Sequence, residues 1–331
     1  MKPNFKIVIC GFNATSKLKD RLLSLTINDA AGVKSDTVKI ELDDRDNRLI
    51  EPPDGDIILV FLGYEGMTLF PMGIFILDRV EYDIAPDRMI IHGKAADFGG
   101  TLKEQKTRNW DEKTIGEIVE TIAVEHDLAP RVADAFKDIK YEYLAQNAES
   151  DINFLTRIGR DHDALVSVKQ LKDSEKRALL FTGRGEGKSA SGLSLPQAWI
   201  FKSQVLPGSR ITKSKATIYK SVEATWHNDE TGDREAVLLG EGSPKFEITH
   251  PHATKDEAKR AAKSKLDEQA RASHTISVRL IGNPIYRAEG QMVAIGFRPS
   301  VPFLWSIKKV SHQLTNSGFT TQIDGELPKS E

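Results

Sequence analysis

A single cysteine, no long apolar run and almost no net charge bound what this 331-residue chain can be. Cys10 alone cannot close an internal disulfide or supply a cysteine-based zinc site. Placed after Ile7-Val8-Ile9, it reads as a small buried hydrophobe rather than a reactive thiol. The longest apolar stretch, Ile57 to Leu62, is strand-length. A membrane-spanning helix needs ~20 such residues, so no stable membrane insertion is expected. The opening Met-Lys-Pro-Asn-Phe lacks the apolar core of a signal peptide. The 46 Lys and Arg against 48 Asp and Glu leave a charge of −2, which removes the footprint of a general nucleic-acid binder. What is present, 39% hydrophobic and 28% charged residues, describes a soluble globular chain of two to four domains.

The expected fold is α+β, mainly β. Residues 1–100 carry short strand candidates at Phe5–Ile9, Leu23–Ile27, Val38–Leu42, Ile57–Leu62, Ile74–Val80 and Met89–Ile91. Turn signals such as Pro52-Pro53-Asp54-Gly55 separate them, and even spacing of this kind suggests a small barrel or sandwich. Residues 101–172 read as a small α/β domain. Thr114-Ile-Gly-Glu117 is a capping box, and Ile115, Ile118, Val119, Ile122 and Ala123 follow at helical spacing. In Glu149–Lys169, Ser150 caps a second helix, with Asp151 at its positive end and Arg157 and Arg160 toward the other. Phe154, Leu155 and Ile158 would pack the domain, and a strand would follow. Residues 173–213 read as an irregular linker with a Gly-rich loop, although Ala178–Phe181 suits a strand. Residues 214–331 read as a second β-barrel interrupted by a surface helix over 254–272, whose apolar face is a thin alanine stripe. Its strand candidates are Thr217–Tyr219, Ala236–Leu239, Phe246–Ile248, Thr275–Ile281, Met292–Phe297, Leu304–Val310 and Phe319–Ile323.

The two β regions resemble each other. Asp54–Gly63 parallels Glu289–Phe297, and Val38–Leu42 parallels Ile276–Leu280. Ile74–Asp83 aligns without gaps on Leu304–Gln313, bringing Val80 onto Val310 and, past a shared turn, Met89 onto Phe319. Order and spacing kept over three elements point to internal duplication.

Chemical constellations give weaker signals. Thr182-Gly-Arg-Gly-Glu-Gly-Lys-Ser189 approaches a phosphate loop, but Gly183 stands one residue too late and Ala190–Pro196 is poor helix material. Asp161-His162-Asp163 suits a solvated turn, and His250-Pro251-His252 lacks a nearby third ligand. Glu149 and Asp151 could be a glycosidase pair, yet a general acid needs burial to raise its pKa, while Asp151 at a helix start is stabilised as the anion. His312 suits core or interface. Trp110, Trp199, Trp226 and Trp305 suit core packing and interface anchoring equally.

Several stretches together resemble the late control protein D family of contractile-tailed phages and phage-derived particles, the baseplate hub proteins. They are Asn109-Trp-Asp-Glu-Lys-Thr-Ile-Gly-Glu-Ile-Val119, Gln146-Asn-Ala-Glu-Ser-Asp-Ile-Asn-Phe-Leu-Thr-Arg-Ile-Gly-Arg160, Gly185–Gly192 with Leu195-Pro196, Trp305–His312 and Gly318–Thr321. The family is structurally related to the N-terminal hub region of type VI secretion spike proteins. The resemblance implies a homotrimer whose two related barrels form a six-module ring. That ring would join the tail tube, or a tube-initiator protein, to a trimeric central spike among other baseplate proteins, with DNA only in transit through its lumen. It implies a virion location in the tail baseplate after assembly in the host cytoplasm. It implies no catalytic residues, no cofactor and no metal. Arg157 and Arg160 are the candidates for a subunit or baseplate contact. Three other readings stay open: a nucleotide hydrolase at the Gly-rich loop, a peptidoglycan hydrolase using the carboxylates, and a type VI spike adaptor. The chain ends at Glu331 without a needle-like repeat, which favours a separate spike.

Overall fold

The computed structural model describes residues 1–32, 36–95, 100–170, 177–187, 194–214, 219–228 and 231–328. The first β region gives β1 (Pro3–Ile9), β2 (Phe12–Asn13), β3 (Leu22–Ala30), β4 (Thr37–Asp43), β5 (Ile57–Tyr64), β6 (Phe70–Ile84) and β7 (Asp87–Ala95), with a short helix α1 (Thr15–Leu18). The middle gives β8 (Gln105–Thr114), α2 (Ile115–Glu125), β9 (Ala129–Val132), α3 (Asp134–Lys137), β10 (Lys140–Ser150), α4 (Asp151–Asp161), β11 (Ala164–Gln170) and β12 (Arg177–Gly183). Then come β13 (Gln197–Phe201), β14 (Arg210–Lys213), β15 (Ser221–His227), β16 (Arg234–Gly240), β17 (Lys245–His252) and α5 (Lys255–Ala272). The chain closes with β18 (His274–Ile281), β19 (Gln291–Ile295), β20 (Leu304–Thr315) and β21 (Gly318–Glu326).

Both β regions feed one 13-stranded sheet, ordered β14-β18-β21-β20-β3-β4-β7-β6-β5-β1-β2, with β19 pairing β20 and β13 pairing β19. Alternation drives it. In β4 every second residue, Val38, Ile40 and Leu42, is apolar and buried, and Leu25 and Ile27 of β3 alternate in the same way. These pack with Ile58, Val60, Leu62 and Phe75 in one core. A second core gathers Ile276, Val278, Met292, Trp305, Val310 and Ile323. The middle segment has its own core of Ile118, Ile122, Phe154, Leu155, Ile158 and Phe181.

The resemblance between the β regions extends to fine geometry. The β6–β7 register shifts between Leu77 and Arg79, and the β20–β21 register shifts between Ile307 and Lys309. These are the same positions in the ungapped alignment. Val38 of β4 faces Gly93 of β7, and Ile276 of β18 faces Gly325 of β21. The turns differ, however. Tyr82 pairs with Met89 while His312 pairs with Thr321, so Met89 answers to Thr321 rather than to Phe319. The second hairpin is two residues longer around its turn, and an even displacement keeps every side chain on its face.

Other expectations need correction. Residues 173–213 are not simply irregular, since β12, β13 and β14 lie there. The surface helix does not lie on a second barrel. Ala258 and Ala262 of α5 pack on Val222 and Ala224 of β15, in a separate three-stranded sheet ordered β16-β15-β17. The alanine stripe permits that close approach. Tyr219 precedes β15 instead of lying in a strand, and Thr217 lies outside the described residues. Cys10 is exposed, with its Sγ donating to Asp56 Oδ1 at 2.7 Å. The cause is the turn: Ile9 pairs with Phe12, and Cys10 and Gly11 both take positive φ, 54° and 78°, in a tight two-residue hairpin loop. β8 and β10, largely polar, pair antiparallel from Lys140–Thr114 to Ser150–Gln105. Among the described residues no helix is long and apolar enough to cross a membrane.

The Gly93 position gives a direct test. A Cβ there would stand 2.7 Å from Val38 Cγ1 and 3.0 Å from Phe75 Cβ. Gly93→Ala should therefore cost about 1–3 kcal/mol through overpacking. The measurement is the urea midpoint, and an unchanged midpoint would contradict the assigned β4–β7 contact.

Candidate functional site

The family-typical segment builds α4. Ser150 is extended and its side chain accepts from Asn153 N–H at 3.4 Å, capping the helix. Ile152, Phe154, Leu155 and Ile158 are buried on one face, and Phe154 stacks on Trp110 at 5.9 Å. Gly159 carries no side chain where β11 comes close: a Cβ would meet Val166 Cγ2 at 3.2 Å and Ala164 O at 3.3 Å. The two candidate arginines behave differently. Arg157 is tied back, donating through Nη2 to Ala145 O at 2.8 Å and Glu149 Oε2 at 3.0 Å, above the Phe154 ring. Arg160 is exposed, while its backbone carbonyl accepts from Ser264 Oγ of α5 at 2.5 Å.

Glu149 and Asp151 do not form an acid–base pair. Glu149 is engaged by Arg157, and Asp151 is fully buried at the centre of a polar ring in which Lys106 and Arg108 are shared with Glu125. Lys106 Nζ reaches its Oδ2 at 2.6 Å, Arg108 Nη2 its Oδ1 at 2.7 Å, His126 Nε2 its Oδ2 at 2.8 Å and Gln146 Nε2 its Oδ1 at 2.8 Å. Burial alone would raise this carboxyl. Hydrogen bonds from His126, Lys106 and Gln146, with the charge of Arg108, outweigh that and hold it at about 2.

The other constellations separate. His162 is buried against the Tyr141 hydroxyl at 2.7 Å, and burial lowers it to about 4. Asp163 takes Arg271 of α5 in a bidentate pair at 2.6 and 2.5 Å, buried on both sides. Asp161 converges with His250 and His252, their ligand-type atoms all within 4.8 Å of one another. This third partner is not legible around His250-Pro251-His252, because it comes from another element. Two imidazoles and a carboxylate can bind a divalent cation. Arg260 lines the same cavity of about 540 Å³, and its charge, after burial and His250, lowers His252 to about 4. A cation there would meet that opposing charge.

His312 is core, with Nδ1 on Thr321 Oγ1 at 3.0 Å and Nε2 on Tyr286 O at 3.2 Å. Trp110 and Trp305 are core too, whereas Trp199 is 54% exposed. In the Gly-rich segment the Glu186 carboxylate lies against Gly183, where a phosphate would need open backbone N–H groups, and Gly187 abuts Gln291. Lys188 to Leu193 lie outside the described residues.

A cavity of about 1050 Å³ opens where α4, α5 and both β regions meet. Arg160 lines it as well as the smaller one, alongside Asp163, Arg271, Glu289 and Lys308. The arrangement therefore has the character of a charged junction between units more than of a closed reaction pocket.

Comparison with known proteins agrees in character. A profile of the family described as "Phage tail baseplate hub (GPD)" matches residues 81–317. The "Probable baseplate hub protein" of Escherichia phage 186 is 32% identical over this entire chain and 94% of its own length. The protein of the same description in Escherichia phage P2 is 31% identical, over 100% and 95%. The solved 43 kDa tail protein of prophage MuSo2 from Shewanella oneidensis is similar in fold, with a TM-score of 0.72, 11% identity and 99% coverage of both chains.

The Asp151 ring predicts acid sensitivity. Its folded pKa of about 2 lies below the ordinary aspartate value of about 3.9. Its stabilisation is then complete above about pH 4 and is lost as pH falls toward 2. Asp151→Asn should cost about 1–3 kcal/mol at pH 7, because the half-buried Lys106 and Arg108 keep Glu125 but lose the charge-assisted bonds to the buried carboxylate. The variant's stability should also fall less steeply between pH 4 and 2, read by denaturant midpoints at each pH.

Proposed function

This chain belongs to the phage tail baseplate hub family, and from that premise we propose that three copies close a ring of six similar β modules joining the tail tube to a trimeric central spike. The hub function itself is that of a structural component of the phage tail. The observation that carries the ring is the repeat within one chain: two hairpins with the same bulge position and a buried glycine opposite an equivalent β-branched residue, Val38 or Ile276. Three copies of a two-module chain present six modules, so one face can meet a sixfold tube and the other a threefold spike.

The proposed mechanism is mechanical. Sheath contraction loads the ring, and continuous hydrogen-bonded sheet resists deformation. The lumen passes DNA, which the near-zero total charge of −2 suits. The protein resides in the virion baseplate after assembly in the host cytoplasm. Its partners are the spike, the tube or a tube initiator, and other baseplate proteins. We divide the chain into a first β module, a middle α/β domain, a second β module and the β15–α5 insertion. Arg160, with Arg157 behind it, is assigned to a subunit or baseplate contact. The engaged state of Glu149 and Asp151 supports a non-enzymatic role.

Native mass spectrometry of the full chain, alone and with its spike, tests this. The expected species is a trimer with a spike-bound form. A chain that stays monomeric at tens of micromolar with spike present would sink the ring.

A further inference from the structure

One seam inside the chain has a counterpart of which only the two separate halves are present. Strand β3 lies between the modules. On one edge it pairs with β4, Ile27 opposite Val38, and on the other with β20, Ile27 opposite His312. In the second module the strand in the place of β3 is β14. It pairs with β18 as β3 pairs with β4, setting Ile211 opposite Ile276. Val38 and Ile276 are equivalent, because each faces the matching glycine, Gly93 or Gly325. Ile211 therefore answers to Ile27, and Arg210 to Thr26.

The place of β20 in the first module is taken by β6. With the two bulges superposed, Val80 answers to Val310, Tyr82 to His312 and Asp83 to Gln313. β20 is covered by β3 from Lys309 to Thr315. The matching stretch of β6, Arg79 to Ile84, pairs with β7 on one edge, whereas its pairing with β5 ends at Ile76 opposite Ile57. Exposure follows the missing cover. His312 and Leu314 are 0% and 6% exposed, while Tyr82 and Ile84 are 51% and 88% exposed. Ile27 is 1% exposed, and Ile211 36%. β14 likewise ends the sheet. Among the described residues the molecule thus presents two open strand edges, each of which has a filled equivalent elsewhere in the same chain. Open edges of this kind template pairing with another chain.

We propose that β14 of one copy pairs antiparallel with Arg79–Ile84 of β6 in the next copy, in the register of the β3–β20 seam. Ile211 then sits opposite Tyr82, Arg210 opposite Asp83, Thr212 opposite Glu81 and Lys213 opposite Val80. The occupant is a second copy of this chain, because the pattern that specifies the contact is the chain's own internal seam. Charge agrees at one position: the incoming Arg210 stands opposite Asp83, while Glu81 on the same edge already pairs with Arg79 and His92. The contact is head-to-tail, so it must close on itself, and the internal and external seams alternate around the ring. This inference rests on the trimeric reading above, and its test separates the two.

The full chain with Cys10→Ser removes the native thiol, and Tyr82→Cys with Ile211→Cys places a thiol on each open edge. Directly opposite residues of an antiparallel pair lie about 4.5–5.5 Å apart at Cα, within disulfide reach. Mild oxidation should give covalent dimers and trimers on a non-reducing gel. The displaced pair Tyr82→Cys with Lys213→Cys should give about tenfold less, and native mass spectrometry of the unoxidised chain reads its oligomeric state. A trimer with the Tyr82–Ile211 cross-link supports the seam. A trimer that does not cross-link there, or that prefers the displaced pair, overturns the seam and leaves the ring. A monomer overturns both. Both substituted side chains are exposed, so folding should survive. As a second reading, Asp83→Arg should weaken trimer association about tenfold or more, and adding Arg210→Asp should restore it; lack of rescue counts against the pairing.

Discussion

The constraint on which the architecture depends is the antiparallel pairing of β3 with β20. It runs from Ala30 opposite Lys309 to Ser24 opposite Thr315 and brings together residues 283 apart in sequence, such as Asn28 and Ser311. Closing a loop of that size costs about 5 kcal/mol, plus a constant, in chain entropy. The seam offsets it by burial: Leu314 and Phe319 of the second module sit inside the first module's core with Leu25 and Ile27. At about 1.5–3 kcal/mol for each buried large apolar side chain, those four residues outweigh the closure. The sheet is continuous because the modules share part of a core.

Ionic contacts then set where the other units sit. Lys169 at the end of β11 lies 3.7 Å from Asp29 and 3.8 Å from Asp36, while Ala288 N–H donates to Asp29 at 3.0 Å. On the far side, the Arg271–Asp163 pair ties α5 to the turn after α4, and Arg271 also lies 3.6 Å from Glu326 of β21. Buried ion pairs contribute little net stability, because desolvation consumes most of the attraction. Their effect is positional, since a misplaced unit would leave a buried charge unpaired. Arg160, on the helix between these anchors, stays at the surface.

Elements with a strong local signature were legible in the sequence. The caps at Thr114, Ser150 and Thr254 are local in chemistry, and each helix begins where its cap stands. Alternating apolar strands such as Val38–Leu42 declared themselves in the same way. β8 and β10 did not, because both are largely polar along their length. Non-local facts were hidden. Nothing near His250 announces Asp161, and nothing near Asp151 announces Lys106 and Arg108. Cys10 misled because its neighbours are apolar, while the turn that exposes it depends on Gly11 and on the register of Ile9 with Phe12. The repeat was visible as a sequence pattern, but the bulges and the two extra turn residues are properties of pairing.

The unequal lengths of the two strands in equivalent places carry a consequence for assembly. β3 has nine residues and buries Leu25 and Ile27 in a shared core, whereas β14 has four, with Ile211 as its one large apolar side chain. The internal seam is unimolecular and forms at any concentration. An external seam of four residues is marginal alone, since a short isolated strand pair is unstable in water. In the proposed ring, three such seams would form together, because the last closure is intramolecular and gains from effective concentration. A hub built this way folds completely as a single chain and commits to a ring only when copies gather. A spike that touched all three copies would strengthen every external seam at once without altering the internal ones.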